Sequence, residues 1–345
     1  MMKQQILTAG NLLNREGHLE QAGYAFRPVR AYDRKDIKAS PLRIKEWDYY
    51  LIANDAVGLA LTVADNSYMG LLSATFLDFK ARTEETFSPM SFLTLGSTGM
   101  PPSSEVGDIH VKHSKMEIQI RHEGGSRRLR VSIPRFNSQG SLEAEILLRE
   151  MYEDTMVIAT PFREDPKAFY YNQKILGMKA EGTLHCKGRD YAFSPLDSYG
   201  LLDWGRGVWT YENTWYWSAA QGRVGEDLFG FNLGYGFGDT AKASENMIFH
   251  QGRAHKLDRI QFEIPSLSDG QPDYMKPWTF TTNDGRFEAV FTPILDRASR
   301  TRLAVLESDQ HQVFGSFSGK AVLDDQQVVE FRDFPGFAEK VYNKW

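Results

Sequence analysis

Four carboxylates stand in or beside two aromatic-rich segments. Asp203 and Glu212 belong to Asp203-Trp204-Gly205-Arg206-Gly207-Val208-Trp209-Thr210-Tyr211-Glu212-Asn213-Thr214-Trp215-Tyr216-Trp217, and Asp239 and Glu245 follow Phe229-Gly230-Phe231-Asn232-Leu233-Gly234-Tyr235-Gly236-Phe237-Gly238. A carboxyl group set among apolar rings has its ionised form disfavoured, so it can keep a proton at neutral pH and deliver it to an alkene or a leaving oxygen. Beside an ionised partner such a donor suits hydration, isomerisation or elimination, and at another spacing glycoside hydrolysis. Asp203, Glu212, Asp239 and Glu245 are therefore the candidate catalytic groups. Each also has a structural reading: Asp203 as a turn cap or partner of Arg206, Asp239 as the closure of a loop.

Four of the chain's seven tryptophans, Trp204, Trp209, Trp215 and Trp217, fall in the first segment. Tryptophan buries a large apolar area and needs a partner for its indole N–H, so tryptophans interleaved with charges suit the wall of a small-molecule cavity. Trp215 and Trp217 share one side of a strand while Tyr216 takes the other. Trp204 and Trp209 are not phased with them, because the intervening glycines are read as a break. Arg206 between two glycines suits either a carboxylate clamp or a bridge between strand ends. Asn232 and Asn246, polar in apolar runs, either line a wet cavity or buttress a turn.

Other chemistries find no support. Gly234-Tyr235-Gly236-Phe237-Gly238 lacks the strand-then-helix setting of a dinucleotide loop. The eight histidines have no metal-ligand spacing, and His311 is an acid/base candidate with no partner visible in the sequence. No Ser-His-Asp elbow is present. No metal and no cofactor is called for.

The elements that must carry these residues are strands. Lys115 to Arg121 alternates polar and apolar, and Leu129, Val131 and Ile133 repeat the spacing after Gly124-Gly125, which predicts a hairpin. Arg127-Arg128-Leu129-Arg130 reads as a solvated strand face. A short C-terminal helix is expected from Phe337, Val341 and Trp345 at i, i+4, i+8. The first forty residues read as a polar arm across the body. The polar break Pro161-Phe162-Arg163-Glu164-Asp165-Pro166 divides the chain into 1–165 and 166–345. With 345 residues there is room for two domains, and many short strands with little helix argue an all-β fold, a sandwich or barrel. A net charge of −5 gives no drive toward nucleic acid, and no window reaches a membrane span's length. The single cysteine, Cys186, excludes an internal disulfide, and the N-terminus has no apolar signal core, so a cytoplasmic protein is expected.

The residues also resemble a family. Gly17-His18-Leu19, Tyr32-Asp33-Arg34, Lys45-Glu46-Trp47-Asp48-Tyr49-Tyr50, Leu202-Asp203-Trp204-Gly205-Arg206-Gly207, Trp215-Tyr216-Trp217, Phe231-Asn232-Leu233-Gly234, Glu245-Asn246, His311-Gln312-Val313-Phe314-Gly315 and Phe337-Ala338-Glu339-Lys340-Val341 together resemble the domain of unknown function 2804 group of the lipocalin-like (calycin) superfamily. The resemblance implies two lipocalin-like antiparallel β-barrel or sandwich domains, distantly similar to carotenoid 1,2-hydratases, and carries no assigned activity. The expected function is an acid/base hydratase, isomerase or cyclase acting on an apolar small molecule in a tryptophan-lined cavity. A non-catalytic lipid or small-molecule binder and a carbohydrate-active enzyme with paired carboxylates are the alternatives. The burial and pairing of the four carboxylates discriminate between enzyme and carrier.

Overall fold

Period-two alternation in this chain folds almost entirely into antiparallel strands. The structure is a computed structural model describing residues 3–138, 140–303 and 306–344. Among the described residues a 14-stranded sheet, a 9-stranded sheet and a small parallel pair are formed. The predicted hairpin is present, with Ile118 opposite Val131 and Ile120 opposite Leu129. Arg127, however, points inward with Leu129 and Val131. It is buried and pairs with Glu150, so only Arg128 and Arg130 belong to the solvated face.

The first sheet holds its central strands in the order Val57–Asp65, Ile44–Ala53, Tyr199–Val208, Phe169–Cys186, Gly140–Arg149. The second runs Asp227–Tyr235, Glu212–Val224, Val328–Lys344, Leu306–Val322, Phe287–Leu303 through its middle. The chain passes from one sheet to the other between Val208 and Glu212. The break at Pro161–Pro166 lies within the first sheet, between strands Met156–Pro161 and Phe169–Cys186, which pair with each other. The second sheet has its own apolar cluster, rich in phenylalanine, around Phe231, Phe280, Phe291 and Phe317. A larger cluster fills the first sheet and continues between the two.

Two local expectations are corrected. The C-terminal residues form strand Val328–Lys344, not a helix. A spacing of four is shared by both periods, so Phe337 and Val341 lie on one side of a strand as readily as of a helix; Trp345 lies outside the described residues. Strand Tyr199–Val208 runs unbroken through Gly205 and Gly207, so the glycines do not end it. The N-terminal arm lies against both sheets: Gly23–Ala25 pairs with Met156–Pro161, Gln5 N–H donates to Lys242 and Gln4 Nε2 to the Leu257 carbonyl.

Candidate functional site

Strand register assembles the site. In the first sheet Asp203 lies directly between Tyr49 and Lys174, and Gly205 in the next row between Trp47 and Asn172. In the second sheet one row reads Arg297, Gln312, Glu339, Trp217, Gly234 across five strands. The two rows face each other across the gap between sheets: Tyr49 Oη donates to Gln312 Oε1 at 3.0 Å, and the Lys174 ammonium sits 3.7 Å from the centre of the Trp217 ring.

Side-chain alternation divides Asp203-Trp204-Gly205-Arg206-Gly207 between two environments. Asp203, Gly205 and Gly207 face the seam. Gly205 is required by close approach, since a Cβ there would meet the Trp47 ring at 1.9 Å. Trp204 and Arg206 face the other way, into the first sheet's interior. Arg206 is fully buried, donates to Asp48 at 3.0 Å and to the Pro101 carbonyl at 2.7 Å, and lies 4.3 Å from the Trp204 ring centre. Arg206 pairs with Asp48, not with Asp203 or Glu212.

Around the seam Asp203 Oδ1 accepts from Lys174 Nζ at 2.8 Å and Asn172 Nδ2 at 2.6 Å, and Oδ2 from Trp47 Nε1 at 3.1 Å. Glu339 accepts from Trp215 Nε1 at 2.9 Å and Gln312 Nε2 at 3.1 Å. Trp217 Nε1 donates to Asn232 Oδ1 at 2.8 Å. Asn232 Nδ2 donates to the Glu245 backbone at 2.8 Å and reaches its carboxylate at 3.4 Å. Gly234 leaves the room that the Glu245 carboxyl occupies, 2.6 Å from where a Cβ would stand. Trp47 stacks on Tyr170 and meets Trp209 edge-on, and Phe237 packs against Tyr170, Trp209 and Trp215.

Three carboxyls, Asp203, Glu245 and Glu339, share the field of the Lys174 ammonium, with Lys256 also acting on Glu245 and Arg297 on Glu339. Burial raises the Glu245 carboxyl above its ordinary range, with Lys174 and Asn232 opposing and Asp203 adding to the rise. Burial likewise pushes Glu339 up to about 7, against the Trp215 hydrogen bond and the charge of Lys174. Among the described residues neither glutamate has an ion-pair partner within 4 Å.

The other sequence candidates lie elsewhere. Glu212 is exposed and accepts from Tyr342 Oη at 2.9 Å. Asp239 pairs at the surface with Arg163 at 2.7 Å, which holds its carboxyl below the usual range. The Asn246 side chain bonds only backbone, accepting from Gly234 N–H and donating to the Asp258 carbonyl. Aromatic crowding does not distinguish an acid aimed at the seam from one at a strand end. Lys174 and Glu339 were missed. The signal was a polar residue set among apolar ones on one side of a strand: Asn172 and Lys174 between Tyr170 and Leu176 in one, Glu339 between Phe337 and Val341 in the other.

Clefts of about 430 Å³ by the N-terminal arm (Asn11, Arg15, Glu20, Arg30) and about 470 Å³ over the Thr279–Thr281 and Ser318–Lys320 face are lined by none of the seam residues. Among the described residues no group of three His, Cys, Asp or Glu side chains is disposed to hold a metal ion. No helix among them is long and apolar enough to cross a membrane.

The architecture is similar to that of known proteins. Kievitone hydratase from Nectria haematococca superposes with a TM-score of 0.54 at 12% identity, over 100% of this chain and 98% of that one. CghA, in a structure with Sch210972, superposes at 0.51 and 11% identity, over 96% and 97%. At such identities the likeness is one of fold. No curated protein sequence matches the chain. The sequence profile of a family known as a domain of unknown function (DUF2804) matches residues 3–345, and the chain belongs to that family.

Proposed function

We propose that the protein is an acid/base enzyme of the hydratase, isomerase or cyclase kind, acting on a small apolar molecule held in the seam between its two sheets. The observation that carries this reading is Glu339, a carboxyl raised to about 7, hydrogen-bonded to Trp215 and with no ion-pair partner within 4 Å among the described residues. A general acid works best with its pKa near the operating pH. In this reading Glu339 gives its proton to an alkene carbon, and the faces of Trp209 and Trp215 stabilise the cationic carbon that results. Water then adds there and loses a proton to a neighbouring carboxylate, Glu245 or Asp203, or a vicinal C–H proton leaves and shifts the double bond. Lys174 holds Asp203 in place. The indole N–H groups of Trp47, Trp215 and Trp217 are all engaged by Asp203, Glu339 and Asn232, so these tryptophans offer a substrate only ring faces and edges. That favours an apolar substrate over a sugar. The fold shared with kievitone hydratase agrees with this chemistry.

The test is to identify by mass spectrometry the small molecules retained by the native protein, then incubate them with it in D2O. Solvent deuterium is expected to enter the molecule, with the rate falling at least about 100-fold in Glu339→Gln. A retained apolar molecule that takes up neither deuterium nor water would make the protein a carrier. A retained sugar would replace the substrate class.

A further inference from the structure

Among the described residues Tyr170 is the one seam tyrosine whose hydroxyl is left free. The other, Tyr49, is engaged: its Oη donates to Gln312 Oε1. Among the described residues Tyr170 Oη has no hydrogen-bond partner, although the residue is only 6% exposed. Its oxygen is not sealed off, unlike those of Tyr50 and Tyr152, which are both unpartnered and closed to solvent. The ring is fixed: Trp47 stacks on it at 6.1 Å between centres, 10° from parallel, and Phe237 meets it edge-on at 4.7 Å. A fixed ring gives the hydroxyl a fixed place beside the acids. Burial first, then the negative fields of Glu245, Asp203 and Glu339, keep the phenol protonated, so it remains an O–H donor throughout the working range of pH.

A rigid, unpaired donor in an aromatic setting calls for an acceptor. A buried hydroxyl without one costs free energy. We propose that Tyr170 Oη donates a hydrogen bond to the substrate, and that the substrate is an oxygenated apolar molecule with a carbonyl, ether or hydroxyl oxygen close to the reacting carbon. A bare hydrocarbon would leave the donor unpaired. The inference rests on the reading that the seam receives a small molecule.

The experiment uses two probes of one shape, 2-acetylnaphthalene and 2-isopropylnaphthalene, measured by equilibrium dialysis against the wild type and Tyr170→Phe. The wild type is expected to prefer the ketone by about tenfold, the worth of one hydrogen bond to a neutral donor. Tyr170→Phe is expected to lose that preference while binding the hydrocarbon as the wild type does. With no protein partner to lose, the variant should melt no lower than the wild type. Hydrocarbon binding without a ketone preference, a preference that survives in Tyr170→Phe, or a clearly lower melting temperature in the variant would overturn the role of Tyr170 and leave the seam as a binding site. Binding of neither probe would overturn both readings.

Discussion

Replacing Glu339 with glutamine tests the electrostatics of the seam without a substrate. The glutamine carbonyl can still accept from Trp215, so the packing is kept while the titration is removed. In the wild type the carboxyl rises from 4.5 to about 7 on folding. A carboxyl raised by folding costs stability once it ionises. The cost is absent below the unfolded value near 4.5, grows as pH rises through the window to about 7, and is constant above it. At roughly 1.4 kcal/mol per pH unit, the full cost is on the order of 3 kcal/mol at pH 8 and about 1 kcal/mol at pH 5. Glu339→Gln should therefore gain stability relative to the wild type by roughly 2 to 3 kcal/mol between pH 5 and pH 8. Urea unfolding of both proteins at the two pH values measures this directly. A stability difference that does not change with pH would mean that Glu339 titrates normally, and the acid assigned to the chemistry would be wrong.

Asp203→Asn should cost about 3 kcal/mol, because it breaks the buried ion pair with Lys174 and leaves that ammonium only the more distant Glu245 and Glu339; Asp203→Asn with Lys174→Met should recover most of the loss in the same urea assay. Gly205→Ala places a methyl group 1.9 Å from the Trp47 ring. It should destabilise by about 1 to 3 kcal/mol and shift the tryptophan emission, and an unchanged spectrum and melting temperature would contradict the flat seating of Trp47. Glu212→Gln, at an exposed strand end, should change stability by less than about 0.5 kcal/mol and leave deuterium exchange into any retained molecule unaltered.

Much of this molecule could be read along the chain. Alternation in Lys115–Arg121 and Leu129–Ile133 is a local property, and each strand keeps its apolar side whatever it meets, so the all-β class and the hairpin followed directly. Period two states which residues share a side, for Asp203 with Gly205 as for Trp215 with Trp217, but not what lies opposite them. A spacing of four, as from Phe337 to Val341, suits helix and strand alike, and only the ladder with Leu306–Val322 decides between them. The grouping of buried carboxyls around Lys174 was decided by tertiary structure. Lys174, Asp203, Glu245 and Glu339 lie far apart in sequence and meet only because register in two sheets sets their rows face to face. Glu212 and Asp239 carry the same carboxyl in equally aromatic surroundings, yet water and nearby partners keep them ordinary surface groups. Desolvation depends on everything packed around a group, so it becomes defined only when the two sheets close on each other.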